Sequence, residues 1–308
     1  MHNCGSDVAD WRHAAADAGF GFGWKVVNRM PERAAYSTFQ RIADRSWAQH
    51  GAGVQQLERN LRRVRPELGY DELRQLSRAG MRSYFRYWCD AFRLPSWSHE
   101  RIVNSVRVEG EEHLIAAKAA GKGAVLPLAH SGNWDHGGAW LALTHGRLVT
   151  VAERLKPESV YRKFLAYRNA LGIEILPLGE PAIVRDLLRA LQENAFVPLL
   201  ADSDLSHNGV EVALFGEVTK IPPGPAVLAL ISGSPLLPAS LYYEGEKLVI
   251  RIHAPIPLPA TGTRADKVAA LSQAYIDVIA TGIAAHPEDW HMMQPLWLSD
   301  LAPRKISP

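Results

Sequence analysis

The stretch AVLPLAHSGNWD, residues 124–135, decides how the rest of the chain reads. Its first five residues form an apolar run of the length of a buried strand. Small and polar residues follow, and 134–144 carries a helical pattern opened by Ser131 or Asn133 as the cap. The run ends at His130, and Asp135 lies in the first turn of the helix. Strand, turn and helix recur downstream: strands are predicted at 148–152, 173–176 and 196–200, and helices at 158–171, 182–192, 226–231 and 265–285. A hairpin is expected from 236–243 and 247–252 across Glu244-Gly245. This alternation predicts an α/β fold, with a mostly parallel central sheet flanked by helices.

Upstream of 106 the pattern is helix after helix, at 8–22, 32–50, 54–64 and 71–92, broken at Gly51, Gly53 and Pro66. The expected organisation is a helical N-terminal layer over 1–105, packed on a core over 106–308. The two parts differ in charge. Up to Arg107 there are 17 Lys+Arg against 11 Asp+Glu, and 16 of those 17 cations are Arg, whereas the remainder is acidic. Arg74, Arg78, Arg82 and Arg86 recur every four residues and form one basic stripe. Tyr84, Tyr87, Trp88 and Phe92 lie on the other faces. Such a helix either lies at a membrane interface or buries its aromatics in a core.

Composition excludes several classes. With 47% hydrophobic residues over 308, the chain can bury a real core. Two cysteines cannot build a disulfide framework or a Cys-based zinc cluster. No continuous apolar run reaches the roughly 18 residues of a membrane span, and the first 30 residues do not read as a signal peptide. There is no phosphate loop, dinucleotide fingerprint or nucleic-acid motif.

In open α/β sheets, ligands bind beyond the carboxyl ends of the strands. That places His130–Asp135, Glu153-Arg154 and Asp202–Asp204 in the candidate site. The five-residue offset lets the Asp135 carboxylate turn back to His130, fix its tautomer and leave the other ring nitrogen as a base. A dyad of this kind can deprotonate a substrate hydroxyl for direct attack on an activated acyl group. It can equally activate water, as in a thioesterase. Gly209, in the turn Asn208-Gly209-Val210, is expected to supply a positive φ. His286 and His291 are poorly spaced for a shared ligand.

Five ordered blocks carry a resemblance: LPLAHSGNWD, VAERLKPESVY, ADSDLSHNGVEVALFG, KIPPGPAVLAL and AAHPEDWHMMQPLW. Together they resemble the His-x4-Asp glycerolipid acyltransferase superfamily. Within it they resemble the bacterial lauroyl/myristoyl-type lipid acyltransferases, and more closely the actinobacterial phosphatidylinositol mannoside acyltransferases. The resemblance implies transfer of a long acyl chain from acyl-CoA to a mannose 6-hydroxyl of an anionic phosphoinositide. It implies His130 as general base and Asp135 as its orienting carboxylate. Asp202 takes the place of a Glu usual in that enzyme group, and Ser203 that of an Arg. Glu153, Arg154, Arg168 and Asp204 fall in blocks implied to bind substrate. No cofactor is expected beyond acyl-CoA as co-substrate, and no nucleic acid. The basic stripe would meet the cytoplasmic face of the plasma membrane as a peripheral contact. A lipid A-type or other glycolipid acceptor is the alternative.

Overall fold

A computed structural model describes residues 26–153, 158–204 and 209–301. The helix expected at 8–22 and the residue Arg154 lie outside the described residues.

Among the described residues a helical turn at 26–29 is followed by α1 (Glu32–Ala48), α2 (Ala52–Val64) and α3 (Tyr70–Arg93), then a short α4 (His99–Asn104). The core follows as β1 (Val106–Glu109), α5 (Glu111–Ala119), β2 (Ala124–Leu128), α6 (Trp134–His145), β3 (Leu148–Ala152), α7 (Glu158–Ala170), β4 (Ile173–Pro177), α8 (Ile183–Gln192) and β5 (Phe196–Leu200). A hairpin β6 (Val210–Leu214) and β7 (Glu217–Ile221) stands apart. It precedes α9 (Gly224–Ser232), β8 (Ala239–Glu244), β9 (Lys247–Ile252) and α10 (Arg264–Ala285). The seven strands of the main sheet lie in the order β1-β9-β8-β2-β5-β3-β4. All neighbours are parallel except β8 and β9, which form the expected antiparallel hairpin.

The sheet forms because its strands are apolar on both faces. All five residues of β2 are buried. Val125, Val149 and Val197 enter one core cluster, with Leu187 and Leu191 of α8 and Tyr275 and Ile276 of α10. Their neighbours Leu126, Leu148 and Phe196 enter the other, with Trp140 of α6 and Phe164 of α7. This period-two division between two apolar clusters makes a sheet covered by helices on both sides. Helix α10 is long and apolar enough to cross a membrane by composition, yet its Leu271, Tyr275, Ile276 and Ile279 are buried in the core.

A third cluster joins the N-terminal helices through Ala43 of α1, Val54, Leu57 and Leu61 of α2, and Leu73 and Met81 of α3. The basic stripe faces into this layer rather than standing clear of it. Arg78 and Arg82 both fork onto the Asp44 carboxylate of α1, at 2.9 Å and 2.7 Å. Arg74 pairs with Glu58 and lies over the Trp47 ring. Arg86 donates to the carbonyls of Gly245 and Glu246 and covers the Tyr243 ring. A four-residue repeat turns slowly around a helix, so the stripe passes from α1 and α2 at Arg74, Arg78 and Arg82 to the β8–β9 turn at Arg86. Only Arg78 and Arg82 keep substantial exposure, at 44% and 38% of their side chains.

Gly209 differs from expectation. Its φ is not among the positive ones. A Cβ there would lie 2.7 Å from Asp204 Oδ2 and 2.8 Å from the Ile221 carbonyl oxygen. Close approach, not a left-handed turn, requires this glycine.

Candidate active site

Sheet register builds the site. Parallel pairing sets Leu128 of β2 opposite Leu200 of β5. The Ala201 N–H continues the ladder onto the Leu128 carbonyl at 2.8 Å. The next step along both strands is therefore His130 beside Asp202. Asp202 Oδ1 lies 2.6 Å from His130 Nδ1, and Oδ2 accepts the His130 backbone N–H at 3.0 Å. The Trp290 Nε1–H donates to that same Oδ2 at 2.9 Å. A carboxylate only accepts, so Nδ1 carries the proton and Nε2 remains as the basic nitrogen.

Asp202 is fully buried, whereas 30% of the His130 side chain is exposed. Burial opposes charge on both groups. The Asp202 charge and hydrogen bond outweigh it for His130 and raise its pKa above 6.5. The imidazole charge and three donated hydrogen bonds hold Asp202 below the usual carboxylate value.

Asp135 does not turn back to the imidazole. Asn133 caps α6, its Oδ1 accepting the His136 N–H at 2.9 Å. From the first turn Asp135 points at α7 and α3: it accepts from Arg168 Nε at 2.7 Å and from the Tyr87 hydroxyl at 3.0 Å. The carboxylate expected to orient His130 instead holds Arg168, in a nearly buried ion pair. Trp134 completes the arrangement. Its ring stacks on Tyr87 at 4.1 Å and meets His130 edge-on at 5.5 Å.

Beside the dyad an apolar slot opens between α6 and the sheet. Trp134, Asp135, Arg168 and Leu200 line its upper part, and Trp140, Leu148 and Ile173 are among its deeper walls. Glu153 is exposed just past β3. Asp204 accepts the Gly209 N–H at 2.6 Å. Of the expected site residues, His130 pairs with Asp202 and Asp135 with Arg168.

The sequence reading passed over Trp290 and Tyr87. Trp290 sits in the closing block that contributed to the resemblance, but nothing in that block marks the indole as a donor to Asp202. The His291 N–H donates to the His130 carbonyl at 2.8 Å, so the same segment fastens the backbone at the base. His291 Nε2 lies 3.0 Å from Ser83 Oγ, which donates to Asp289 Oδ1 at 2.5 Å. Among the described residues, no group of three or more His, Cys, Asp or Glu is placed to hold a metal ion.

A partly exposed histidine hydrogen-bonded to a buried carboxylate, near an apolar slot at the carboxyl edge of the sheet, is an arrangement that suits acyl transfer. The chain belongs to the bacterial lipid A biosynthesis acyltransferase family, whose model matches residues 14–299. It is 44% identical over 288 residues to a phosphatidylinositol mannoside acyltransferase of Mycolicibacterium smegmatis, covering 93% of this chain and 92% of that protein. It is 45% identical over 301 residues to a phosphatidylinositol mannoside acyltransferase of Mycobacterium tuberculosis, covering 96% and 90%.

Proposed function

We propose that this enzyme transfers a fatty acyl group from acyl-CoA to the 6-hydroxyl of a mannose on a phosphatidylinositol mannoside. The observation that carries the chemistry is the 2.6 Å contact between His130 Nδ1 and Asp202 Oδ1. With Nδ1 engaged, Nε2 takes the proton of the mannose hydroxyl as its oxygen attacks the thioester carbonyl. Asp202 stabilises the imidazolium that forms. Collapse of the tetrahedral intermediate expels the CoA thiolate, which receives the proton from Nε2. Atoms balance without a covalent enzyme intermediate.

The acyl chain occupies the apolar slot, and its carbonyl lies at the mouth near His130. Arg168, held by Asp135, which also accepts from the Tyr87 hydroxyl, presents its guanidinium to the acceptor or to CoA oxygens. Glu153, Arg154 and Asp204 serve the acceptor headgroup. The acceptor is a lipid, so the enzyme works as a peripheral protein on the cytoplasmic face of the membrane, with the exposed guanidiniums of Arg78 and Arg82 meeting anionic headgroups. The relatives' 44–45% identity over most of this chain supports the mannoside acceptor.

The test is incubation of purified protein with radiolabelled palmitoyl-CoA, with and without a phosphatidylinositol mannoside. Label in the glycolipid, lost with His130→Ala, is the expected result. Free fatty acid alone, indifferent to acceptor, would overturn transfer in favour of hydrolysis.

A further inference from the structure

Helix α6 carries Gly137-Gly138 two residues past Asp135, both lining the slot. A glycine inside a helix costs about 1 kcal/mol relative to alanine. Neither has a positive φ that would require it. Space is the remaining reason. A Cβ on Gly138 would lie 3.0 Å from Ile173 Cδ1 and 3.8 Å from Leu148 Cδ1. One on Gly137 would lie 2.8 Å from Leu241 Cδ2.

These two contacts fall at different places in the slot. Leu148 and Ile173 are direct partners at the amino ends of β3 and β4, whereas the carboxyl ends pair Ala152 with Pro177. Four residues of strand separate the two levels, about 13 Å. Gly138 therefore closes on the floor, and Gly137 on the wall made by β8.

We propose that Gly138, packed against Ile173, determines the length of acyl chain the enzyme accepts. The inference rests on the reading that the slot receives the donor's acyl group. The slot is narrow, with a cavity volume of about 90 Å³, so one added group at its deep end takes a large share of the room there. A methyl group is close to a water molecule in size, roughly 30 Å³, and at Gly138 it would occupy that space beside Ile173 Cδ1, which must also give way slightly. Each methylene that no longer fits costs about tenfold or more in kcat/KM.

The experiment compares kcat/KM for saturated acyl-CoA donors from octanoyl to stearoyl, with the acceptor lipid present. In Gly138→Ala the ratio of palmitoyl to octanoyl should fall at least about tenfold relative to the wild type. Adding Ile173→Ala, which removes the opposing Cδ1, should restore it. Ile173→Phe fills the floor from the strand side without altering the helix, and should shorten the preference in the same direction. Circular dichroism confirms that each variant is folded. An unchanged donor profile in folded Ile173→Phe and Gly138→Ala would overturn this assignment while leaving transfer intact. A wild type that transfers from no donor would instead overturn the underlying reading.

Discussion

His130 and Asp202 are 72 residues apart in sequence, and their side chains meet at 2.6 Å because β2 and β5 pair in parallel with matching ends. Asp135, only five residues from His130, is occupied by Arg168. The carboxylate hydrogen-bonded to the imidazole is therefore the distant one. Asp202→Asn should lower kcat/KM by about 10³–10⁴-fold, as expected when a histidine loses the partner that fixes its tautomer. Asp135→Asn should cost at least about tenfold less in kcat. Steady-state kinetics on both variants checks the order.

The pH dependence follows from the same contact. Asp202 raises the His130 pKa above 6.5, and only neutral imidazole acts as a base. The kcat/KM profile should therefore rise with pH along a limb whose midpoint lies above 6.5. In Asp202→Asn that midpoint should move downward, because burial then acts unopposed. A midpoint unmoved by the substitution would separate Asp202 from the titrating group. The pair's stabilising contribution has the opposite sense at each end. The His130 part is present below its unfolded pKa and is lost as pH rises through the folded value. The Asp202 part is lost only as pH falls below the ordinary carboxylate range.

Arg168 and Asp135 form an ion pair in which the carboxylate is 3% exposed. Removing one partner strands a buried charge, so Arg168→Met should destabilise the protein by about 3–5 kcal/mol. Adding Asp135→Asn should recover much of that loss. Tyr87→Phe removes one hydrogen bond and should cost about 1–3 kcal/mol. Urea unfolding of the three variants measures the set.

His136 sits on the far side of α6 from Asp135's partners, its Nε2 3.0 Å from the Ile102 carbonyl. Burial depresses its pKa to about 4. A histidine held neutral in the fold loses stability as pH falls from its unfolded value of about 6.5 through 4, by at most about 3 kcal/mol. Unfolding free energies measured across that window should fall less steeply in His136→Gln than in the wild type.

Arg78 and Arg82 share one Asp44, leaving a net positive charge at an exposed place on α3. Their joint replacement by alanine should weaken co-sedimentation with anionic vesicles while changing the melting temperature little. Arg74→Ala and Arg86→Ala should lower the melting temperature instead, since Arg74 packs on Trp47 of α1 and Arg86 on Tyr243 of β8. Unchanged vesicle binding in the double variant would remove the stripe from the membrane contact.

The order of elements was legible because periodicity is local. The strand at Phe196–Leu200 stands where it is expected, whereas the hairpin's first strand begins at Ala239 rather than 236 and its turn is Gly245-Glu246 rather than Glu244-Gly245. The helix cap at Asn133 was among the two expected candidates. The basic stripe was visible as spacing, but spacing carries no information about Asp44 on another helix. Gly209 was expected to supply a positive φ; its φ is not positive, and crowding against Asp204 and the Ile221 carbonyl is what requires glycine there.

By itself the sequence determined the α/β architecture and singled out the carboxyl edge of the sheet, with His130, as the candidate site. Runs of apolar residues and the turns between them are properties of short segments, and those features depend on nothing more. Tertiary structure decided which carboxylate pairs with His130, what Asp135 holds, and that Trp290 closes the network from the far end of the chain. Those are matters of strand order and register, fixed when side chains from β2, β5, α3, α7 and the closing segment pack together. A short sequence offset suggested Asp135. The pairing of β2 with β5 gave Asp202 to His130.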